Sequence, residues 1–383
     1  LAVGGYGGPP GSQRFATNEY FDGTSWTELA DISTARSSSS GGGISTDAFI
    51  ASGYTDSSTP YALTSEFWSL ADPVTLAQEG QVWYNTTSTV LKGFGKQGTG
   101  AWASGGDMNT ARSHGGGGGD QTAATVAGDA NIPASQQLCE VWNGSTWTES
   151  NNLTSVKEES GSSGISTSMG MFGGASTQTN SESWNGTCWT EGNNLNTGRY
   201  GIAGAGTSSS SLLAMGGGDP NTANVEEYDG TSWSEVNNLQ ATTQYAFGQM
   251  GPTAACLCGG GTAPQYPSGT PGKVEEYDGT SWTEVADLAK GRRTGGSAGS
   301  TSDALIFGGE GPPIPGRADQ TESWNGTAWT ELGDLATAVY AQMQGQGVNS
   351  ASTAMSSGGN LPGPTGTVEI WSIPDAIKTF TAT

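Results

Sequence analysis

The sequence predicts an all-β fold, a β-propeller built from four-stranded blades. Three observations lead there. A short phrase recurs every 42 to 49 residues, an apolar run ending in paired glycines precedes it, and a Gly/Ser/Ala-rich segment precedes that run. A period of this length, carried by short β-rich runs and turn residues, is the length of one blade.

The innermost strand comes first in each unit. Segments such as 200–206, Tyr-Gly-Ile-Ala-Gly-Ala-Gly, carry side chains small enough for the place where blades converge on an axis. The second strand is the apolar run. It ends at Gly173 and Gly174, Gly216 and Gly217, Gly259 and Gly260, or Gly308 and Gly309. Glycine pairs there permit unusual backbone angles and close approach of neighbouring chain.

The third and fourth strands form the recurring phrase: Glu, an aromatic residue, Asn-Gly or Asp-Gly, then Trp-Thr-Glu or Trp-Ser-Glu. It occupies 19–28, 140–149, 182–191, 226–235, 275–284 and 322–331. An Asn-Gly or Asp-Gly pair between β-rich runs predicts a type I′ turn, with positive φ at both residues. The outer-strand tryptophans Trp147, Trp189, Trp233, Trp282 and Trp329 are spaced 42, 44, 49 and 47 residues apart. Together with the aromatic residue before the turn they are expected to pack between blades, where each indole buries roughly 150–250 Å².

Eight units carry a glycine strand followed by a Glu-aromatic strand. Two are incomplete. After Phe67-Trp68 the turn is missing, and Trp102 heads a Trp strand with no hairpin partner beside it. After Glu369-Ile-Trp371 there is no Trp strand at all. The two deficits match, so 99–106 is expected to complete the last blade and close a six-bladed ring, which removes free sheet edges. The alternative is one seven- or eight-bladed ring interrupted by an insertion at 70–98. The favoured division is then 1–70 as the end of a preceding propeller or first blades of a single ring, 71–98 as a linker hairpin, 99–372 as the propeller and 373–383 as a C-terminal tail. The chain opens inside a repeat without Met, which reads as a fragment or processed piece.

Composition narrows the function classes. Thirty-six acids against 13 bases give a net charge of −23, which repels phosphate backbones, so nucleic acid is not an expected partner. No run of 18 apolar residues is present, so no membrane insertion is expected. The cysteines Cys139, Cys188, Cys256 and Cys258 follow no zinc spacing, and His114 is the lone histidine. No metal, no cofactor and no catalytic set is therefore assigned, since a Ser-His-Asp set or a copper site cannot be assembled around one imidazole. Paired carboxylates for glycan cleavage stay open, but most acids recur at one repeat position, which favours a structural role. Arg36, Arg112 and Arg199 occupy matching phrases before the inner strand. They read as contacts to a neighbouring carboxylate, with a ring of charge at the channel mouth as the alternative. The sequons at Asn143, Asn185 and Asn325 coincide with the residue the turn itself requires.

On the double glycine, the following aromatic and the Trp, the repeats resemble those of the kelch family over nearly the whole chain. The Asn/Asp-Gly-Thr turn and the high Gly/Ser content depart from animal kelch repeats and resemble kelch-like repeats of phage and marine-virus structural proteins. Residues 79–94 carry Trp83-Tyr84-Asn85 and Leu91-Lys92, which resemble a short hairpin motif of phage tail-fibre and virion proteins. The resemblance implies a non-enzymatic viral structural protein or adhesin, located on a virion or outside the cell. Its partners would be a protein or glycan of a host surface, or other virion proteins. A bacterial secreted or surface propeller binding glycans or proteins is the alternative, and a glycan-active enzyme the second.

Overall fold

A computed structural model describes residues 99–218, 220–262, 272–311, 316–343 and 350–380. Before these it describes 2–7, 13–21, 26–29, 31–44, 47–51, 53–55, 65–69, 82–85 and 90–96. The chain divides into two compact units, Gly98–Pro374 and a second made of Leu1–Gln97 with Asp375–Thr383.

Gly98–Pro374 is a six-bladed propeller of antiparallel sheets. Blade 1 runs outward as Gly116–Asp120, Ala123–Ala127, Cys139–Trp142 and Trp147–Glu149. Blades 2 to 5 repeat that order, beginning at Gly161–Ile165, Ala203–Ser208, Phe247–Met250 and Gly296–Gly299. Blade 6 is assembled from both ends of the unit: Met355–Ser357, then Val368–Ser372, then Ala101–Ser104 as its outer strand. The register at the seam pairs Trp371 with Trp102 and Ile370 with Ala103. The matching deficits in the sequence are thus one blade divided between two ends.

Each of six buried apolar clusters fills one gap between neighbouring blades. Ala127 and Cys139 of blade 1 meet Met169, Met171, Trp184 and Trp189 of blade 2. Across the seam, Val126, Trp142 and Trp147 of blade 1 meet Met355 and Val368 of blade 6. Trp147, Trp189, Trp233 and Trp282 are buried, whereas Trp102 and Trp329 are half-buried. Leu153, Leu195, Leu239, Leu288 and Leu335, in five of the six crossovers between blades, are also buried, as is Met108 in the sixth.

The hairpin between the third and fourth strands differs from the expected form. Trp142 pairs directly with Trp147, leaving the four-residue loop 143–146. Gly144 has φ +90° while Asn143 is not left-handed. The Asn143 carboxamide oxygen instead accepts from the backbone N–H groups of Ser145 and Thr146, both at 2.9 Å. Asn185, Asp229, Asp278 and Asn325 do the same in their blades. The side chain rather than a second positive φ therefore organises this turn.

The glycine pair of blade 4 also lies one residue later than expected. Gly259 ends the strand Cys256–Gly259, and the left-handed residues are Gly260 (φ +64°) and Gly261 (φ +91°). Three consecutive glycines hid the register.

In the other unit, Ala2–Gly7, Gln13–Phe21 and Trp26–Leu29 form one three-stranded sheet, and Ser40–Ile44, Asp47–Ala51 and Ser65–Ser69 form another. The hairpin expected near residue 85 is present as Val82–Asn85 and Val90–Lys96. The segment read as a C-terminal tail instead contributes a strand, Asp375–Phe380, paired antiparallel to Val90–Lys96.

Candidate functional site

In an antiparallel four-stranded blade, the second-to-third connections and the crossovers to the next blade leave from the same end. Three repeated networks of polar contacts meet at that face of the propeller. Two of them use up the residues that the sequence singled out.

The first network joins neighbouring blades. The N–H after the first left-handed glycine donates to a crossover carbonyl of the next blade: Gly174 to Arg199 at 2.8 Å, Gly217 to Thr243 at 2.7 Å, Gly261 to Arg292 at 2.9 Å and Gly309 to Val339 at 2.8 Å. Asp129 donates to Lys157 in the same way, and Gly359 donates to Arg112 across the seam. A Cβ on Gly173 would lie 2.6 Å from the Arg199 carbonyl oxygen, and one on Gly260 only 2.4 Å from that of Arg292. The paired glycines are therefore structural rivets.

The second network uses the repeated glutamate. Glu140, Glu182, Glu226, Glu275, Glu322 and Glu369 are all buried. Each accepts from one or two backbone N–H groups of the crossover leading into its own blade. Glu140, for example, accepts from Asn109 and Thr110, and Glu369 from Ala336 and Thr337. Arg112, Arg199 and Arg292 pair with Glu140, Glu226 and Glu322 at 2.5, 2.9 and 3.0 Å, with side chains almost wholly out of solvent. In blade 2, Lys157 donates instead to the backbone carbonyl and side-chain oxygen of Asn180. Blades 4 and 6 carry Thr243 and Val339 at this position. For Arg112 and Arg199 the carboxylate contact is thus the observed role. Arg36, in the other unit, is buried and donates to the Thr34 carbonyl at 3.2 Å.

The third network was not visible in the sequence. Six residues, one from each crossover, share left-handed backbone: His114 (φ +57°), Glu159 (+54°), Gly201 (+60°), Tyr245 (+59°), Thr294 (+55°) and Ala341 (+57°). Each N–H donates to the carbonyl of the preceding member. Glu159 donates to His114 at 2.9 Å, Gly201 to Glu159 at 2.8 Å, Tyr245 to Gly201 at 2.8 Å and Thr294 to Tyr245 at 3.1 Å. Ala341 then donates to Thr294 at 2.5 Å, and His114 to Ala341 at 2.9 Å closes the cycle. Five of the six are not glycine, and each left-handed residue of that kind costs about 1–2 kcal/mol. A closed cycle of hydrogen bonds holds them there.

These positions share a backbone conformation but not a side-chain type, and so chemistry gathers at the axis. The Tyr245 hydroxyl donates to a Glu159 carboxylate oxygen at 2.8 Å. Tyr200 meets Tyr245 edge-on with centroids 6.2 Å apart, and Tyr340 meets His114 at the same distance. Arg293 lies 6.0 Å from the Tyr245 ring centroid and is tied to Glu310 at 2.8 Å. Burial holds the His114 imidazole down at about 4, with Arg293 adding to this and Asp129 opposing it. Burial also raises the Glu159 carboxyl, and Glu158 adds to the rise while the Tyr245 hydrogen bond opposes it. Tyr245 is raised by burial and by the charge of Glu159.

Deeper along the axis, the Gln249 amide reaches from blade 4 to donate to the carbonyls of Gly117 in blade 1 (3.0 Å) and Ser162 in blade 2 (2.6 Å). That side chain bridges opposite blades below the mouth, which is a small cavity. It is lined by His114, Glu159, Tyr245, Thr294 and Gln342 with the backbone between them. Among the described residues, no group of three or more His, Cys, Asp or Glu side chains is gathered as a metal would need. All four cysteines are free thiols, and only Cys188 is exposed.

No protein-family model matches the chain, and no curated protein matches it. Among solved structures, one titled "Structure of YjhT" matches with a TM-score of 0.56 at 14% identity. The match covers 71% of this chain and 99% of that one. At that identity the likeness is one of fold.

Proposed function

We propose that this chain is a kelch-like propeller of a viral structural protein. It is displayed on a virion surface or tail and acts by binding rather than by catalysis. Its target is a protein or glycan of a host surface, or another virion protein. The observation that carries this reading is the division of labour among its polar residues. The repeated glutamates, their arginines and the glycine pairs are consumed in holding blades together. The side chains that vary from blade to blade gather around the axis at one face.

Connections of different length border that same face, among them 128–138, 173–180 and 308–320. Variable connections on a rigid scaffold are where recognition usually resides. The viral assignment rests on the Asn/Asp-Gly-Thr turn and on the hairpin around Trp83-Tyr84-Asn85, whose resemblance is to virion proteins.

The test is adhesion of the full chain, immobilised on beads, to candidate host cells and to a glycan panel. Shortening 310–318 should reduce capture, whereas Ser145→Ala and Thr187→Ala, in exposed third-to-fourth turns at the opposite face, should not. Glycan turnover abolished by changing one acid would overturn the binding reading. A reading frame set among bacterial housekeeping genes would overturn the viral one.

A further inference from the structure

The axial mouth contains hydrogen-bond acceptors with no partner in the protein. Gln342 is 2% exposed, and its amide nitrogen donates to the Ser356 hydroxyl at 2.6 Å, which leaves its carbonyl oxygen unpaired. The Nδ1 of His114 is likewise buried without a partner. Glu159 takes one hydrogen bond from Tyr245 at Oε2, and a carboxylate accepts up to about four. These three groups line one cavity.

An unpaired buried acceptor costs roughly 1–3 kcal/mol, so a ligand that supplies donors is favoured there. Charge selects further. Glu158, Glu159 and Glu310 stand near the mouth against Arg293, which Glu310 already holds. The local balance is negative and disfavours an anion.

Size selects last. The cavity leaves about 20 Å³ for the centre of a water-sized sphere, and about 10–15 Å³ suffices for one water. A sugar ring does not enter such a space, but an ammonium head does. That head carries three donors and one positive charge, and it gains from nearby aromatic faces such as those of Tyr245 and Tyr200.

We propose that the mouth formed by Glu159, Tyr245, His114 and Gln342 is a receptor for a single primary alkylammonium group, the side chain of a lysine presented by the partner. The inference rests on the binding reading above and names the chemistry that its site takes. The ammonium approaches along the axis, its charge beside the Glu159 carboxylate and its N–H groups on Glu159, the Gln342 carbonyl and His114 Nδ1. Its alkyl stem passes between Tyr200 and Tyr340.

The experiment is titration of the full chain, by calorimetry and by tyrosine fluorescence, with an N-acetyl-Gly-Lys-Gly amide peptide. The same peptide acetylated on the lysine Nζ is the control, and putrescine tests a free diamine. The expected result is saturable binding of the lysine peptide, lost on acetylation and weakened at least tenfold by Glu159→Gln with an unchanged thermal melt. Equal binding of the acetylated peptide to the unmodified chain overturns the proposal, whatever the variant does. So does the absence of binding at millimolar peptide, or full affinity in a folded Glu159→Gln. Putrescine binding as tightly as the peptide would replace a presented lysine by a free amine as the source. Host-cell adhesion that survives in Glu159→Gln would sink this inference while leaving the adhesin reading intact.

Discussion

Trp371 packs against Trp102 with ring centroids 5.3 Å apart and planes tilted by 57°, although the two residues come from opposite ends of the propeller. Trp142 and Trp147 lie 5.4 Å apart inside a continuous hairpin. The seam therefore reproduces the packing of an ordinary blade without the covalent turn.

That equivalence makes 98–374 a self-sufficient ring. Expressed alone, it should give a cooperative thermal melt and resist limited proteolysis. A version starting at residue 106 lacks Ala101–Ser104 and leaves the edge of Val368–Ser372 unpaired. Exposed edges template association, so light scattering should show aggregation of the shorter form.

The outer-strand indoles should behave as core. Trp189→Ala and Trp233→Ala are each expected to cost about 3–5 kcal/mol, as large-to-small changes at buried sites do. Trp329→Ala should cost less, because that ring is half-buried. Chemical denaturation of the three variants makes the comparison, and equal losses would contradict the burial difference.

The buried glutamates should fall into two classes. Glu140→Gln strands the Arg112 guanidinium without its carboxylate and should cost about 3–5 kcal/mol. Glu369→Gln breaks charge-assisted bonds from Ala336 and Thr337 but strands no buried arginine, since Val339 occupies that position. Its cost should be about 1.5–3 kcal/mol. Denaturation midpoints in the reverse order would disprove the difference between paired and unpaired glutamates.

His114 should impose an acid dependence on stability. Its folded pKa of about 4 lies below the ordinary imidazole value of 6.5, so between those pH values the unfolded chain binds a proton that the folded chain does not. Stability should be full above pH 6.5, fall as pH drops towards 4, and level off below. The whole excursion is at most about 3.5 kcal/mol, since each tenfold loss of proton affinity corresponds to about 1.4 kcal/mol. His114→Asn, which tolerates left-handed backbone, should flatten melting temperature across that window relative to the unmodified chain.

Glycine substitutions should separate the true rivet from its neighbour. Gly260→Ala places a Cβ 2.4 Å from a backbone carbonyl at φ +64°, whereas the Cβ in Gly259→Ala meets the movable Val274 side chain at 3.0 Å. The first should be severely destabilising and the second mild, as judged by soluble yield and melting temperature.

Much of this architecture was legible because it is repeated. The Trp spacing fixed blade length, and the missing Trp strand after Trp371 pointed to Trp102. The acids at one repeat position read correctly as structural. The axial cycle was illegible for the converse reason. His114, Glu159, Tyr245, Thr294 and Ala341 share only a backbone angle, which residue type does not announce, and among them glycine stands solely at Gly201. The blade-4 pair was misplaced because Gly259, Gly260 and Gly261 are identical in sequence and differ only in φ. The four-residue turn was missed because Asn-Gly also suits the tighter hairpin, and only the Trp142–Trp147 register distinguishes the two.

The pairing of Lys96 with Asp375 has a further consequence. Lys96, the last paired residue before the propeller, and Asp375, the first after it, are cross-strand partners, so in that unit the chain leaves and returns about one strand spacing apart, roughly 5 Å. A closed module whose ends lie that close is an exchangeable cassette. Another ring, or a tight turn, could be spliced between the same two residues without altering the sheet that receives it.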